Sequence, residues 1–275
     1  YAVAYAVPLF LGGGVGYAFS TALIPGYHHK VVECGREAGI RFLSTMCLSS
    51  LMWSLVLLTP VWVMPEILVR FAAPSLPEAT MRLTVDLMGW LAFYVFIQNS
   101  VYVLSAVFHT FNHFRLPAAI DLIFNVTVIG VLVALANKFE IRALLIGNLT
   151  GIAACFLLLS IVLLRGKWAP RLQAFRPKEL VRPLIICLPV AAYYLASQSP
   201  GLLANYFASG LGEGSIAAFG YAKTLLTAVV TLVTLSIARG AFPTFASLSA
   251  GGRTEEFRQL VTGLAKLILF MFLPL

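Results

Sequence analysis

The chain has 275 residues, of which 60% are hydrophobic and only 11% are charged, and its net charge is +8 at neutral pH. An ordinary soluble domain carries roughly 25% charged residues, so this composition excludes a soluble fold and indicates an all-α integral membrane protein. The positive charge does not indicate binding to nucleic acid, because the sequence shows no basic groove with exposed aromatic residues.

Eight apolar segments approach or exceed the length of about 20 residues that a bilayer-spanning helix needs. In chain order they are residues 3–26, 42–64, 83–108, 117–136, 142–164, 182–207, 214–238 and 260–275. Pro8 and Gly12 interrupt the first segment, and Pro189 and Pro200 interrupt the sixth. Membrane helices tolerate such residues where neighbours or cavity water satisfy the freed backbone groups, so the pattern favours bent helices around a cavity.

The positions of Lys and Arg predict the orientation, because cytoplasmic loops of membrane proteins are enriched in both. Of the 19 Lys and Arg residues, 13 lie in every second connection between the apolar segments: Lys30, Arg36, Arg41, Arg115, Arg165, Lys167, Arg171, Arg176, Lys178, Arg182, Arg239, Arg253 and Arg258. The other set holds Arg70, Arg82, Lys138 and Arg142. We therefore predict that the first set is cytoplasmic and that the first helix runs from outside to inside.

The longest cytoplasmic connection, residues 165–182, reads RGKWAPRLQAFRPKELVR. We interpret it as a linker between two lobes, with residues 1–164 as the remainder of an N-terminal lobe of five helices and residues 183–275 as the start of a C-terminal lobe. Contact of its basic residues with anionic lipid headgroups is the alternative interpretation. Because the chain starts at Tyr1 and stops within an apolar run, we expect it to be an internal piece of a longer protein.

Two helix junctions resemble each other and indicate an internal repeat. Pro25 matches Pro243, and Glu37 matches Glu255 at the same offset, which leads from the first helix to the seventh. The sequence therefore predicts two six-helix units in the same orientation, and transporters built of such repeats bind substrate at the interface between them.

Lys223 is the first candidate for a functional residue within a span. It lies nine residues into segment 214–238, which places it about 13 Å along the helix axis. An ionisable residue at that depth is costly and usually functional. The alternative is a structural Lys that pairs with a carboxylate or reaches a water-filled lumen.

The sixth segment carries a polar and aromatic set of residues, namely Tyr193, Tyr194, Gln198, Asn205 and Tyr206. The spacing places Tyr194, Gln198 and Asn205 on one face if the helix continues through Pro200. Such a face suits sugar hydroxyls, and aromatic rings stack on sugars. Hydrogen bonding between helices explains the same residues equally well.

We interpret the other polar residues within spans as packing residues, namely Gln98, Asn99, Asp121 and Asn125. Glu213 is predicted to cap the following helix.

No cofactor, metal site or catalytic motif is predicted. The four cysteines show no paired spacing and are interpreted as small hydrophobic residues. His109 and His113 have a ligand-like i,i+4 spacing, but no Cys or carboxylate cluster accompanies them. Nucleophile elbows, P-loops and HExxH motifs are absent from the sequence, so we expect no enzyme.

Several stretches resemble the MurJ/MviN-type lipid II flippases of the multidrug/oligosaccharidyl-lipid/polysaccharide exporter superfamily. The most specific are YFASGLGEGSIAAFGYAKTL and AFPTFASLSAGGRTEEFRQLVTGLAKLILFMFLPL. The stretches AYAVPLFLGGGVGYAFSTALIPGYHH and YVLSAVFHTFNHFRLPAAIDLIFNVTVIG resemble the second helix and the fourth-to-fifth helix junction. The whole chain would correspond to helices two to nine of about fourteen.

The resemblance implies a multi-pass protein of the bacterial inner membrane that exports a polyprenyl-pyrophosphate-linked glycan by alternating access. It implies the bilayer and the lipid-linked glycan as partners, no cofactor, and a membrane potential or coupling ion as the driving force. The family usually reads Tyr-Ala-Asp-Arg where this chain has Tyr221, Ala222, Lys223 and Thr224, so Tyr221 and Lys223 join the candidate substrate-binding residues.

The chain also departs from the family pattern. The Arg and Glu usual in the second helix are absent from LFLGGGVGYAF, and the place of the usual Arg of the seventh helix falls near Tyr193 and Tyr194. An exporter of exopolysaccharide or O-antigen precursors and a drug or cation antiporter of the same superfamily are therefore alternatives. A membrane-embedded glycosyltransferase is a further alternative, although it should carry acidic residues in a long outer loop, and the longest outer loop here has only Glu66, Glu78 and Asp86 nearby.

Overall fold

The computed structural model describes residues 1–166, 177–212, 214–228, 230–231 and 254–272, and within these ranges it contains helices and no strand. The helices are α1 (Ala2–Cys34), α2 (Arg36–Val63), α3 (Pro65–Ala72), α4 (Glu78–Thr110), α5 (Arg115–Phe139), α6 (Ile141–Arg165), α7 (Pro177–Ala208), α8 (215–228) and α9 (Thr254–Phe272). In the described part, α1, α2, α4, α5 and α6 are long and apolar enough to cross a membrane. The prediction of an all-α membrane protein is confirmed.

The connection between the first two spans differs from the predicted polar loop. α1 continues through Pro25 to Cys34, and α2 begins two residues later, after Gly35 with φ of 84°. Lys30 and Glu33 form an ion pair of 2.9 Å on the last turns of α1, and a pair at this spacing supports a helix. The charges that suggested a loop therefore lie on a helical extension beyond the apolar span.

A short helix that hydropathy does not predict lies between the second and third spans. α3 has eight residues and begins with Pro65, a residue suited to the first turn of a helix. Glu66 in its first turn and Arg70 in its last turn complement the helix dipole. It is too short to cross a bilayer, so the predicted alternation of the spans is unchanged.

The chain divides into two compact units, residues 1–216 and 217–275. In the first unit, α1 is the central helix and packs against α2, α4 and α7, while α6 packs against α4 and α5. The side chains of α5 are mostly exposed, including Leu122, Val126, Ile129 and Val133 along one stripe. An apolar stripe of this kind is suited to contact with lipid. In the second unit, α8 and the 19-residue α9 are described, and α9 carries Glu255 and Glu256 in its first turn.

Candidate functional site

Asn99 of α4 joins three helices in the interior of the first unit. Its Nδ2 donates to the carbonyl oxygen of Gly12 at 2.9 Å and to the Ser54 Oγ at 2.9 Å, and its Oδ1 accepts the N–H of Gly16 at 3.0 Å. The residue is only 1% exposed. The prediction of a packing role is confirmed for Asn99, because α1, α2 and α4 meet at its side chain.

The glycines of α1 let neighbouring helices approach closely. A Cβ on Gly12 would lie 2.6 Å from Leu58 of α2, and a Cβ on Gly14 would lie 2.8 Å from the Tyr194 ring of α7. A Cβ on Gly13 would lie 2.7 Å from the Tyr194 hydroxyl. Small residues allow such close packing in membrane helices. The Tyr194 side chain therefore lies directly on the glycine surface of α1.

Tyrosines and one glutamine form a group beside this contact, here called the tyrosine face, which consists of Tyr5, Tyr17, Tyr94, Gln98, Tyr102 and Tyr194. The rings of Tyr5 and Tyr94 lie 5.8 Å apart, and those of Tyr17 and Tyr194 lie 6.0 Å apart. Tyr194 rests on Gly13 and Gly14 of α1, which lie between Tyr5 and Tyr17 along that helix. The face thus combines side chains of α1, α4 and α7.

Gln98 is the amide of the tyrosine face, and its carbonyl oxygen is buried. Its Nε2 donates to the Tyr102 hydroxyl at 3.3 Å, and Tyr5 lies beside it. The buried Oε1 of Gln98 has no hydrogen-bond partner of good geometry in the part of the chain that the structure describes. The exposed rings of Tyr17 and Tyr102 form a surface that can stack on a sugar.

The predicted residues of the sixth segment divide between two sides of α7, which continues through Pro200 to Ala208. Tyr194 and Gln198 are half-buried and Asn205 is buried, whereas Tyr193 is 67% exposed and Tyr206 is 45% exposed. The three residues at helical spacing thus share the buried side. Of these three, Tyr194 belongs to the tyrosine face.

Lys223 and Tyr221 lie in α8, in the second unit. Within that unit both side chains are exposed, Tyr221 at 74%. A shared cavity for Lys223 and the residues of α7 stays a prediction. Glu213, with its predicted capping role, lies outside the described residues, as does Pro243 of the predicted repeat.

Asp121 and Asn125 meet through the backbone, because the Asn125 Nδ2 donates to the Asp121 carbonyl oxygen at 2.7 Å. The His109 ring stacks on Phe114, with centroids 5.4 Å apart. The described residues include no group of three metal-ligating side chains.

The sequence interpretation missed Tyr5, Tyr17, Tyr94 and Tyr102 as members of a common surface. A local signal was present on α4, where Tyr94, Gln98 and Tyr102 follow one another at steps of four residues. It did not reveal that α1 supplies Tyr5 to the same surface.

The model of the family described as "Lipid II flippase MurJ" matches residues 1–275 of this chain. The chain belongs to the MurJ lipid II flippase family. It is also 29% identical over 203 residues to a probable lipid II flippase MurJ of Bdellovibrio bacteriovorus, and the aligned region covers 72% of this chain and 38% of that relative. The aligned region thus spans well under half of the length of that relative.

Membership of the MurJ family agrees with the resemblance found in the sequence and with apolar helices of membrane-spanning length. In this member, the tyrosine face itself contains no charged side chain. The Lys and Arg side chains that the structure describes in the first unit lie close to helix ends, as Lys30, Arg36 and Arg115 illustrate. The described interior of the first unit is therefore apolar, with polar and aromatic groups at Asn99 and the tyrosine face, and it contains no cation.

Proposed function

We propose that the protein to which this chain belongs is a flippase that moves lipid II, a polyprenyl-pyrophosphate-linked glycan, across the bacterial inner membrane by alternating access. The observation that carries this proposal is the match to the lipid II flippase family along the whole of the chain. Helices of membrane-spanning length support it, because the substrate itself is anchored in the bilayer.

We place the sugar part of the substrate on the tyrosine face. Tyr102 and Tyr17 are 41% and 42% exposed, so a ligand can reach their rings. Stacking on aromatic rings and hydrogen bonds to phenolic hydroxyl groups recognise a sugar without any charge.

We place the pyrophosphate near Lys223. A pyrophosphate in a poorly hydrated cavity needs cationic or N–H donors, and the tyrosine face supplies no cation. Lys223 follows Tyr221 in the helix that resembles the family's eighth, within an apolar segment.

The test is complementation in a cell depleted of its own lipid II flippase and expressing the full-length protein. Lipid-linked precursor should accumulate with Lys223→Ala, whereas Lys223→Arg should retain part of the transport because it keeps the charge with a different donor geometry. Lys138→Ala, which removes a cation at the end of α5, serves as the matched control and should transport normally.

Two results would contradict the proposal in different ways. Full transport by Lys223→Ala would remove Lys223 from the site and leave the substrate assignment standing. A wild-type protein that fails with lipid II and restores exopolysaccharide or O-antigen export would overturn the assignment of the glycan.

A further inference from the structure

The two backbone groups that Asn99 binds on α1 are natural partners of each other. In an α-helix the N–H of residue i donates to the carbonyl oxygen of residue i−4, so Gly16 N–H and Gly12 C=O form one such pair. Asn99 accepts from the first at 3.0 Å and donates to the second at 2.9 Å. The side chain therefore offers both groups an alternative partner at the same point of the helix.

An alternative partner matters because the interior of a membrane contains no water to satisfy a freed backbone group. Leaving such a group unpaired is strongly unfavourable, so membrane helices bend where a neighbouring side chain replaces the lost hydrogen bond. A carboxamide suits this purpose, since it carries a donor and an acceptor on one plane. The Ser54 Oγ, which accepts the second Nδ2 hydrogen at 2.9 Å, holds the Asn99 amide in this orientation.

The glycine content of α1 also lowers its intrinsic stiffness at this point. Residues 12, 13, 14 and 16 are all glycine, and glycine adopts backbone angles that other residues avoid. A Cβ on Gly16 would lie 2.5 Å from the Asn99 Cα, so the backbones of α1 and α4 are in direct contact. The glycine-rich part of α1 therefore lies where the Asn99 amide can replace the backbone hydrogen bond.

We propose that Asn99 is a positioning residue that allows α1 to bend at Gly12–Gly16 by exchanging the backbone hydrogen bond for its own side-chain bonds. Tyr5 lies on α1 before this point and Tyr17 lies after it, while Tyr194 rests on Gly13 and Gly14 between them. A bend thus changes the spacing of the tyrosine face. The use of this motion in transport rests on the proposed function, but the motion itself does not.

The bend can be measured between the outer ends of α1 and α4 in the full-length protein, reconstituted in lipid nanodiscs. Spin labels at Ala2→Cys and Leu83→Cys, both exposed positions, report the distance in a background without other reactive cysteines. Ala2 lies 12 residues from Gly14, so a bend of about 30° moves it by roughly 9 Å. For the wild-type protein we expect either two distances that differ by roughly 9 Å or one distribution that is about as broad.

Two variants separate bending from packing. Asn99→Ala removes both bridging bonds, which should lower the bent population at least about tenfold, since two backbone groups then lose their replacement partner. Ser54→Ala is the matched control, because it removes one hydrogen bond of the same junction and leaves the bridge in place. If Asn99→Ala does not fold, Asn99→Ser is used, which retains a single hydroxyl and should lower the bent population less.

A single narrow distance in the wild-type protein would overturn the proposal, and so would an equal change in the Asn99 and Ser54 variants. A loss of thermal stability in both variants with a change of distance in the Asn99 variant alone is the expected result. Neither outcome depends on the transported molecule, so failure of this proposal is distinguishable from failure of the proposed function.

Discussion

Gly16→Ala tests most directly how closely α1 and α4 approach each other. The added Cβ would lie 2.5 Å from the Asn99 Cα and 2.6 Å from its Oδ1. The Cα belongs to the backbone of a buried helix, so it cannot move away as a flexible side chain would. Either α1 is displaced from α4, or the hydrogen bond from Gly16 N–H to Asn99 is lost.

The expected loss of stability follows from two opposing effects. Overpacking in a well-packed interior costs about 1–3 kcal/mol. Replacing Gly by Ala within a helix contributes roughly 1 kcal/mol in the opposite direction. Gly130→Ala is the matched control, because Gly130 also lies inside a helix and a Cβ there would meet no atom within 4 Å. The helix-propensity terms cancel in this comparison, so Gly16→Ala should be about 1–3 kcal/mol less stable than Gly130→Ala.

The assay is unfolding of the purified full-length protein in mixed micelles by titration with sodium dodecyl sulfate, followed by tryptophan fluorescence. Both variants and the wild type are compared in the same micelles, so that only differences in the free energy of unfolding are interpreted. A Gly16→Ala variant as stable as Gly130→Ala would refute the close approach of α1 and α4 at Asn99.

Two further predictions concern α7 and the orientation of the chain. Tyr194→Ala should lower the free energy of unfolding by about 1–3 kcal/mol and reduce transport, because it removes the ring that packs on the glycines of α1. Tyr193→Ala removes the exposed neighbouring ring, and in the same unfolding and complementation assays it should change neither stability nor transport. Lys167→Cys should react with an impermeant thiol reagent only after the cells are opened, and labelling from outside intact cells would reverse the predicted orientation of residues 165–182.

The sequence by itself determined the class of protein, the positions of the five described helices that are long and apolar enough to cross a membrane, and its family. These features depend on composition, on hydropathy averaged over about 20 residues and on motifs, all of which are local along the chain. The same locality explains the errors at helix ends. The charged end of α1 was predicted as a loop because a hydropathy window stops where the apolar residues stop, whereas the helix continues to Cys34. α3 was missed because eight residues are too few to register as a span.

Only the tertiary structure decided which polar residues meet. Asn99 is separated by 83 residues from Gly16 and by 87 residues from Gly12, yet its amide binds both. The sequence identified Asn99 as a packing residue and Tyr194 as part of a polar face, but it could not identify their common neighbour, the glycine surface of α1. Such contacts depend on the rotation and crossing of helices relative to one another, and packing between distant segments sets both.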